Sequence, residues 1–219
     1  MVKLLLTVEG QSEEAFADKV LIPHLVLRGV IPQVRAVRTS RGQRGGYTTY
    51  GKLRTDVDQW LREQPDGWHT TLLDLYGLKP DFPGFADATA LSAPSRVEHL
   101  ERAFAADLNH PRFRPYIQQY EFEALLFTAP ALMEEWLGLD MPLPVGCFQA
   151  IRDQFATPED INDSPETAPS KRILRLCRGY GKTTDGPSIL AEIGLPRLRA
   201  ACPRFGAWLT WLESLADQP

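Results

Sequence analysis

The stretch that decides the fold is KLLLTVEGQSEEAFADKVL, Lys3 to Leu21. Its apolar run is typical of a buried strand, and it stops at Glu9, where a helical pattern takes over. Glu13 and Glu14 suit the first turn of that helix, because carboxylates complement the helix dipole. Glu9 needs another explanation. An acid at the end of a buried strand stands where open parallel sheets bind their ligands.

Composition limits the class of protein. The chain has 219 residues, of which 43% are apolar and 24% charged, with a formal net charge of -4. No apolar window is long enough to span a membrane and no signal-peptide pattern opens the chain, so we expect a cytoplasmic protein with no membrane contact. Mild acidity argues against a surface coated in nucleic acid but leaves a local basic groove open. The cysteines, without CxxC spacing, predict buried thiols: Cys147, Cys177 and Cys202.

Strand-like and helical patterns alternate along the first half of the chain. Strands are predicted at 2–8, 33–38, 68–76 and 113–120. Helices are predicted at 13–28, interrupted by Pro23, over 50–61, and from about Ser95, where Glu98 would complete a capping box. This order predicts an α/β fold with a mostly parallel central sheet flanked by helices.

The second half of the chain reads differently. Beyond Glu121 the pattern becomes helical and rich in loops, without repeats or a clear linker. We therefore predict a single domain, 1–219, made of an α/β core at 1–127 and a helical C-terminal elaboration at 128–219.

Acids follow three of the predicted strands. Glu9 ends the first strand, Asp74 lies near the end of the third, and Glu121 with Glu123 follows the fourth. The ends of parallel strands share one edge, where converging carboxylates repel one another unless a hard cation neutralises them. We expect Glu9, Asp74 and at least one of the later pair to meet there around Mg²⁺ or Mn²⁺. The alternative is a surface helix and a capped turn.

Several motifs in order resemble a known family: LLLTVEGQSEE, TTLLDLYGLKPDFPG, YIQQYEFEALLF, INDSPETAPSKRI and GKTTDGPSI. Over essentially the whole chain they are similar to the family called domain of unknown function 4276. That family resembles the TOPRIM superfamily, the metal-binding α/β domain of topoisomerases, primases and overcoming-lysogenization-defect nucleases. The resemblance implies a TOPRIM-like fold and a divalent cation acting on phosphodiesters. Glu9 and Glu13 match the spacing of the two glutamates in the nuclease branch.

One motif departs from the TOPRIM pattern. The superfamily carries Asp-x-Asp, whereas this chain has Asp74-Leu75-Tyr76, and tyrosine is a poor magnesium ligand. Asp81 or Glu121 is a candidate to replace the missing oxygen. Alternatively, the site binds one cation rather than two, or its chemistry has been lost.

Basic residues supply the candidate substrate contacts. The nuclease branch places a lysine late in the chain, which implies that Lys171 or Lys182 faces the phosphate; the alternative for each is a solvated surface lysine. Arg38, Arg41 and Arg44 enter the glycine-rich loop RGQRGGY, where they can follow a phosphate backbone or simply be solvated. GYGKTTDG lacks the spacing of a P-loop.

Two functions follow from these features. One is a metal-dependent nuclease of TOPRIM type that acts on DNA or RNA, in phage defence or DNA repair. The resemblance further implies a separate ATPase of the AAA or ABC type as partner. The other function is a non-catalytic module that binds a nucleotide, a nucleic acid or a partner protein, which the missing second aspartate favours. The sequence gives no signal for the oligomeric state.

Overall fold

The central sheet has four strands, all parallel. The structure is a computed structural model that describes residues 1–40, 43–44, 49–139, 142–162 and 164–217, with the backbone alone at 38–40 and 43–44. Its strands are β1 (Val2–Val8), β2 (Val30–Ala36), β3 (Arg38–Ser40), β4 (Gln43–Arg44), β5 (Trp68–Asp74) and β6 (Ile117–Gln118). The sheet order is β2, β1, β5, β6, and β3 and β4 form a separate antiparallel pair. The predicted α/β fold is confirmed.

Helices surround this sheet and make up most of the second half of the chain. The α-helices are α1 (Gln11–Phe16), α2 (Ile22–Val26), α3 (Tyr50–Glu63), α4 (Phe85–Ala88), α5 (Ala93–Leu108), α6 (Pro130–Leu137), α7 (Cys147–Arg152), α8 (Pro169–Leu176), α9 (Asp185–Ile193), α10 (Leu195–Ala201) and α11 (Pro203–Ser214). A π-helical segment, Ala17–Leu21, joins α1 to α2. The 3-10 segments are Leu75–Gly77, Phe122–Thr128, Pro158–Asp160, Pro165–Thr167 and Leu215–Asp217.

Each face of the sheet is buried under helices. Alternate residues of β1 belong to the larger apolar cluster, which includes residues of α1, α2, α9 and α11. The opposite face belongs to a second cluster with α3 and α5. Trp208 of α11 stacks on Tyr116 at 4.6 Å between ring centroids, and its Nε1 donates to Thr70 Oγ1 over 3.0 Å. The C-terminal helices are thus tied to the centre of the sheet.

The predicted strand at 113–120 is wrong over most of its length. Ile117–Gln118 pairs with β5, and Phe113 makes an isolated bridge to His69. Pro115 interrupts the ladder because it has no N–H, and Tyr116 N donates instead to Thr71 Oγ1 at 3.0 Å. The proline therefore divides the predicted strand into two short contacts.

Other boundaries also differ from the prediction. β2 begins three residues before the predicted start and contains Pro32, which an edge strand tolerates. Ser95 does not cap α5: the helix begins at Ala93 after Ser92, with a proline in its first turn. The helix predicted at 13–28 begins at Gln11, and the irregularity expected near Pro23 is the π-helical segment just before it.

Among the described residues, no helix has the length and apolar character needed to cross a membrane. The predicted division of a single domain after residue 127 falls within the segment Phe122–Thr128. Apolar residues from both sides of that point share the larger cluster. The division itself stays a prediction.

Candidate metal centre

Glu9 and Asp74 stand side by side at the carboxyl ends of the two central strands. The backbone N–H of Asp74 donates to Glu9 Oε2 over 3.1 Å. Gly77 leaves the space that this carboxylate fills, because a Cβ on Gly77 would lie 2.7 Å from Glu9 Oε1. The order β1 next to β5 therefore brings together two acids that are far apart in the sequence.

Glu13 approaches the same edge from the first helix. It lies in the first turn of α1 and is buried, and its Oε2 accepts a hydrogen bond from Gly10 N at 2.9 Å. The bond returns the side chain towards the end of β1, where Glu9 is located. Glu13 therefore lies near Glu9 at this edge of the sheet, in addition to any effect it has on the helix dipole.

Glu121 and Glu123 arrive from the segment that follows β6. Glu121 Oε2 accepts from Ser170 N, 2.9 Å away at the start of α8. Glu123 is buried, and its Oε1 lies 3.1 Å from Lys182 Nζ. Lys182 is held in place by a turn in which Gly181 N donates to Asp185 Oδ2 over 2.7 Å. The C-terminal helices thus supply the partners of both acids.

The five acids affect one another electrostatically. Burial raises the pKa of Glu9, Glu13, Asp74 and Glu123, bringing that of Glu13 to about 7. The charge of Glu9 raises the pKa of Glu13 further, and that of Asp74 rises well above its usual value because Glu9 and Glu13 add to its burial. Burial lowers the pKa of Lys182, but pairing with Glu123 outweighs that effect and raises it. Lys182 therefore keeps its charge at neutral pH.

Asp74 has an oxygen that no hydrogen bond satisfies. Among the described residues Asp74 Oδ1 is buried and has no partner. Such an atom surrounded by other carboxylates suits a divalent cation, which takes oxygen ligands. In the described part of the chain no three acidic, histidine or cysteine side chains already form a ligand set. Glu9, Glu13 and Glu121 each accept a hydrogen bond from a backbone N–H, and Glu123 pairs with Lys182. Each of these contacts uses one oxygen of the carboxylate, which leaves the other oxygen for a cation. These carboxylate oxygens are the kind of ligand that Mg²⁺ or Mn²⁺ takes. That they come close enough together to bind one cation stays a prediction.

The structure places the remaining candidates elsewhere. Asp81 Oδ2 accepts from Tyr50 N over 2.7 Å, so this acid holds the start of α3. Lys171 is exposed on α8, next to the serine that binds Glu121. Arg38 pairs with Arg44 through the backbone of β3 and β4, whereas Arg41 lies outside the described residues. Contact of the three arginines with nucleic acid stays a prediction.

Three residues near the acids were not predicted as site residues. The charge of Lys79 lowers the pKa of Glu9. Tyr180 lies close enough to the acids for the charge of Glu123 to raise the pKa of the tyrosine hydroxyl. Tyr76, in the position of the second aspartate, accepts a hydrogen bond from Asn162 Nδ2. Tyr76 and Lys79 directly follow β5, whereas Tyr180 reaches the sheet edge from the loop before α9, which no periodic pattern marks. The glycine-flanked Tyr180, two residues before Lys182, was the nearest available signal.

The fold is that of an α/β protein with a parallel sheet, in which acids lie at the carboxyl ends of the central strands. The family model described as Domain of unknown function (DUF4276) matches residues 8–213. The chain belongs to this family.

Solved structures with a similar fold are C-terminal regions of OLD proteins. That of the Burkholderia pseudomallei OLD protein has a TM-score of 0.50 and 16% sequence identity, covering 97% of this chain and 98% of that chain. That of the Xanthomonas campestris pv. campestris OLD protein has a TM-score of 0.43 and 19% identity, covering 96% of this chain and 95% of the other. At this identity the first likeness establishes the fold alone. No curated protein matches the chain.

Proposed function

We propose that the chain is a divalent-cation-dependent phosphodiesterase of TOPRIM type that cleaves DNA or RNA. The observation that carries the proposal is Asp74 Oδ1, a buried and unpartnered carboxylate oxygen among four further acids. A purely structural cluster would pair such an oxygen, since a buried polar atom without a partner costs about 1–3 kcal/mol. Glu9, Glu13, Asp74, Glu121 and Glu123 are the proposed ligands.

A divalent cation bound there supplies charge stabilisation at the scissile phosphate and lowers the pKa of water. Lys182 supplies a second positive charge beside the acids, and its pairing with Glu123 keeps it protonated. Lys171, in the first turn of α8, is the alternative for this role, but Lys182 is the lysine that pairs with one of the acids. Lys182 is therefore the better candidate to face the phosphate.

The position of Tyr76 supports a second candidate function. Its hydroxyl bonds to Asn162 rather than supplying a carboxylate where TOPRIM proteins carry their second aspartate. A non-catalytic module would use the same edge to bind a nucleotide, a nucleic acid end or a partner protein. For both functions, the resemblance to OLD proteins suggests a separate AAA- or ABC-type ATPase as a partner.

A cleavage assay separates the two functions. Purified protein is incubated with single- and double-stranded DNA and RNA, with and without Mg²⁺ or Mn²⁺. We expect cation-dependent cleavage that falls at least about a hundredfold in Asp74→Asn and in Glu9→Gln, because each removes charge that holds the cation. Asp81→Asn is the matched control: its amide still caps α3, so cleavage is retained.

Binding to nucleic acid is measured in parallel at several salt concentrations. We expect Asp74→Asn to bind nucleic acid as wild type does, because this substitution weakens cation binding and leaves the phosphate contacts in place. Substitution of Arg38, Arg41 and Arg44 makes the salt dependence shallower if they contact phosphates. Absence of cleavage under every cation, with and without an ATPase, together with loss of a bound ligand in the acid variants, favours the binding module. If neither cleavage nor binding responds to the acids, both functions are wrong.

A further inference from the structure

The hydroxyl of Tyr180 is buried beside the acids and has no partner. Tyr180 is 6% exposed, and its Oη makes no hydrogen bond to any described residue. Tyrosine hydroxyls that are buried usually find a partner, because leaving one unpaired loses the hydrogen bonds it makes to water. An unpaired group of this kind requires an explanation.

The chain makes room for this hydroxyl. Tyr180 lies in the loop before α9, where its N–H donates to Cys177 O at 3.3 Å. Opposite is Gly186 in the first turn of α9, and a Cβ on that residue would lie 2.7 Å from Tyr180 Oη. Any other residue at 186 would push the hydroxyl from its place. The glycine therefore preserves a close approach between the ring and the helix.

Several acids lie close enough to the hydroxyl for their charges to affect its pKa, but none of them accepts a hydrogen bond from it. Burial raises the pKa of Tyr180, and of the neighbouring charges that of Glu123 raises it most, followed by Asp185 and Glu13. Glu123 Oε1 is bound to Lys182 Nζ at 3.1 Å, and Glu13 Oε2 to Gly10 N. Asp185 Oδ2 is bound to Gly181 N. Glu123 is the acid whose donor is a side chain on the same short loop as Tyr180, and so the one most easily exchanged.

We propose that Tyr180 is a positioning residue of the cation site, whose hydroxyl donates to Glu123 once Lys182 leaves that carboxylate. The inference rests on the proposed function, because binding of a cation by the acids is what removes the need for Lys182 as their counter-charge. In the cation-free state Lys182 holds Glu123. In the loaded state Tyr180 holds it, and the ammonium group is released to face the phosphate.

The test measures stability and cation binding for the full chain and two variants. Tyr180→Phe removes an unpaired hydroxyl, so we expect no loss of thermal midpoint without cation and about tenfold weaker Mn²⁺ affinity. Tyr116→Phe is the matched control, because it removes a buried hydroxyl that donates to Gln118 Oε1 over 2.7 Å. Its midpoint without cation should fall by about 2–4 °C while its Mn²⁺ affinity stays that of wild type.

Labelling by an amine-reactive reagent, read by mass spectrometry, follows Lys182 directly. On addition of Mn²⁺ the labelling of Lys182 should rise in wild type, with the exposed Lys171 as internal reference. The inference is overturned if Tyr180→Phe lowers the cation-free midpoint as Tyr116→Phe does, if its Mn²⁺ affinity equals that of wild type, or if Lys182 labelling does not rise. In these cases wild-type cleavage and Mn²⁺ binding are unaffected and the proposed function stands. A wild type that binds no Mn²⁺ overturns the cation site itself.

Discussion

Two groups of acids in this protein are largely buried: Glu101 and Glu159 near α11, and the acids at the sheet edge. The two groups differ in their surroundings. Glu101 Oε1 accepts from Ile117 N and from Arg204 Nη2, both at 2.9 Å. The two oxygens of Glu159 accept from Arg204 N at 2.9 Å and Phe205 N at 3.0 Å, which anchors the first turn of α11. These acids connect helices to the rest of the fold, and the donors that make each connection stabilise their negative charge.

The acids at the sheet edge are more crowded and less completely paired. Five acids meet there, Lys182 pairs with one of them, and one oxygen of Asp74 has no partner among the described residues. The comparison teaches that burial alone does not separate a structural acid from a site acid. What sets the sheet edge apart is one buried oxygen of Asp74, which no donor in the described part of the fold satisfies and which remains available to a ligand.

The largest expected effect that tests this comparison is on pH dependence. Folding raises the pKa of Glu13 from 4.5 to about 7, so the folded state binds more protons than the unfolded state in that range. The contribution of Glu13 to the free energy of unfolding is fully present below pH 4.5. It falls by about 3 kcal/mol as pH rises through about 7. Glu13→Gln should therefore be more stable than wild type at pH 8 without cation, with a flatter pH profile.

Urea denaturation between pH 4.5 and 8 measures this effect. Saturating Mg²⁺ should recover part of the stability that wild type loses at pH 8, because a ligand of the folded state adds stability. A wild-type profile that rises over this range would show that folding lowers the pKa of Glu13, and the effect expected from burial among the neighbouring acids would be wrong.

A smaller effect of opposite sign is expected at the structural acids. Glu159→Gln should lower the free energy of unfolding by about 2 kcal/mol, because the amide nitrogen of glutamine cannot accept a hydrogen bond and one of the two backbone N–H groups loses its acceptor. The exposed acid Glu135 gives the control variant Glu135→Gln, which should be neutral. Equal stability of the two variants would remove Glu159 from the structural class.

The smallest expected effect compares two lysines. Lys182→Gln should lower cation-free stability at pH 8 by about 0.5–1 kcal/mol, because Glu123 loses its counter-charge in a half-exposed pair. Lys171→Gln removes an exposed charge and should change nothing measurable. Chemical denaturation of both variants at low salt provides the comparison. A loss for Lys171→Gln as large as that for Lys182→Gln would mean that general surface charge, rather than this ion pair, is being measured.

The parts of the fold that sequence analysis predicted are those with strong local patterns. β1 matches its prediction because its continuous apolar run is buried on both faces. α3 begins where its apolar spacing placed it, because burial on one side repeats along the helix. Prolines caused the larger errors. Pro115 limits pairing at β6, and Pro94 allows α5 to begin before Ser95.

The residues of the candidate site show the same difference between strong local patterns and positions that depend on packing. Acids at strand ends can be found from the sequence, because the carboxyl ends of parallel strands share an edge. Tyr180 and Asn162 could not be found this way, since their positions depend on how the loops of the second half pack. Glu159 shows the reverse problem: in the sequence it is one more acid in TPEDIND, and its two backbone donors become visible only when α11 is in place.

The ion pair between Glu123 and Lys182 has a consequence for synthesis of the chain on the ribosome. β1 and the Glu9 that follows it are synthesised well before Lys182 and the helices that cover the larger apolar cluster. A nascent chain therefore exposes its acids and an uncovered sheet face before their partners exist. Assembly of the site must follow release of the C-terminal half, so an incomplete chain should possess neither the cation site nor any activity that depends on it.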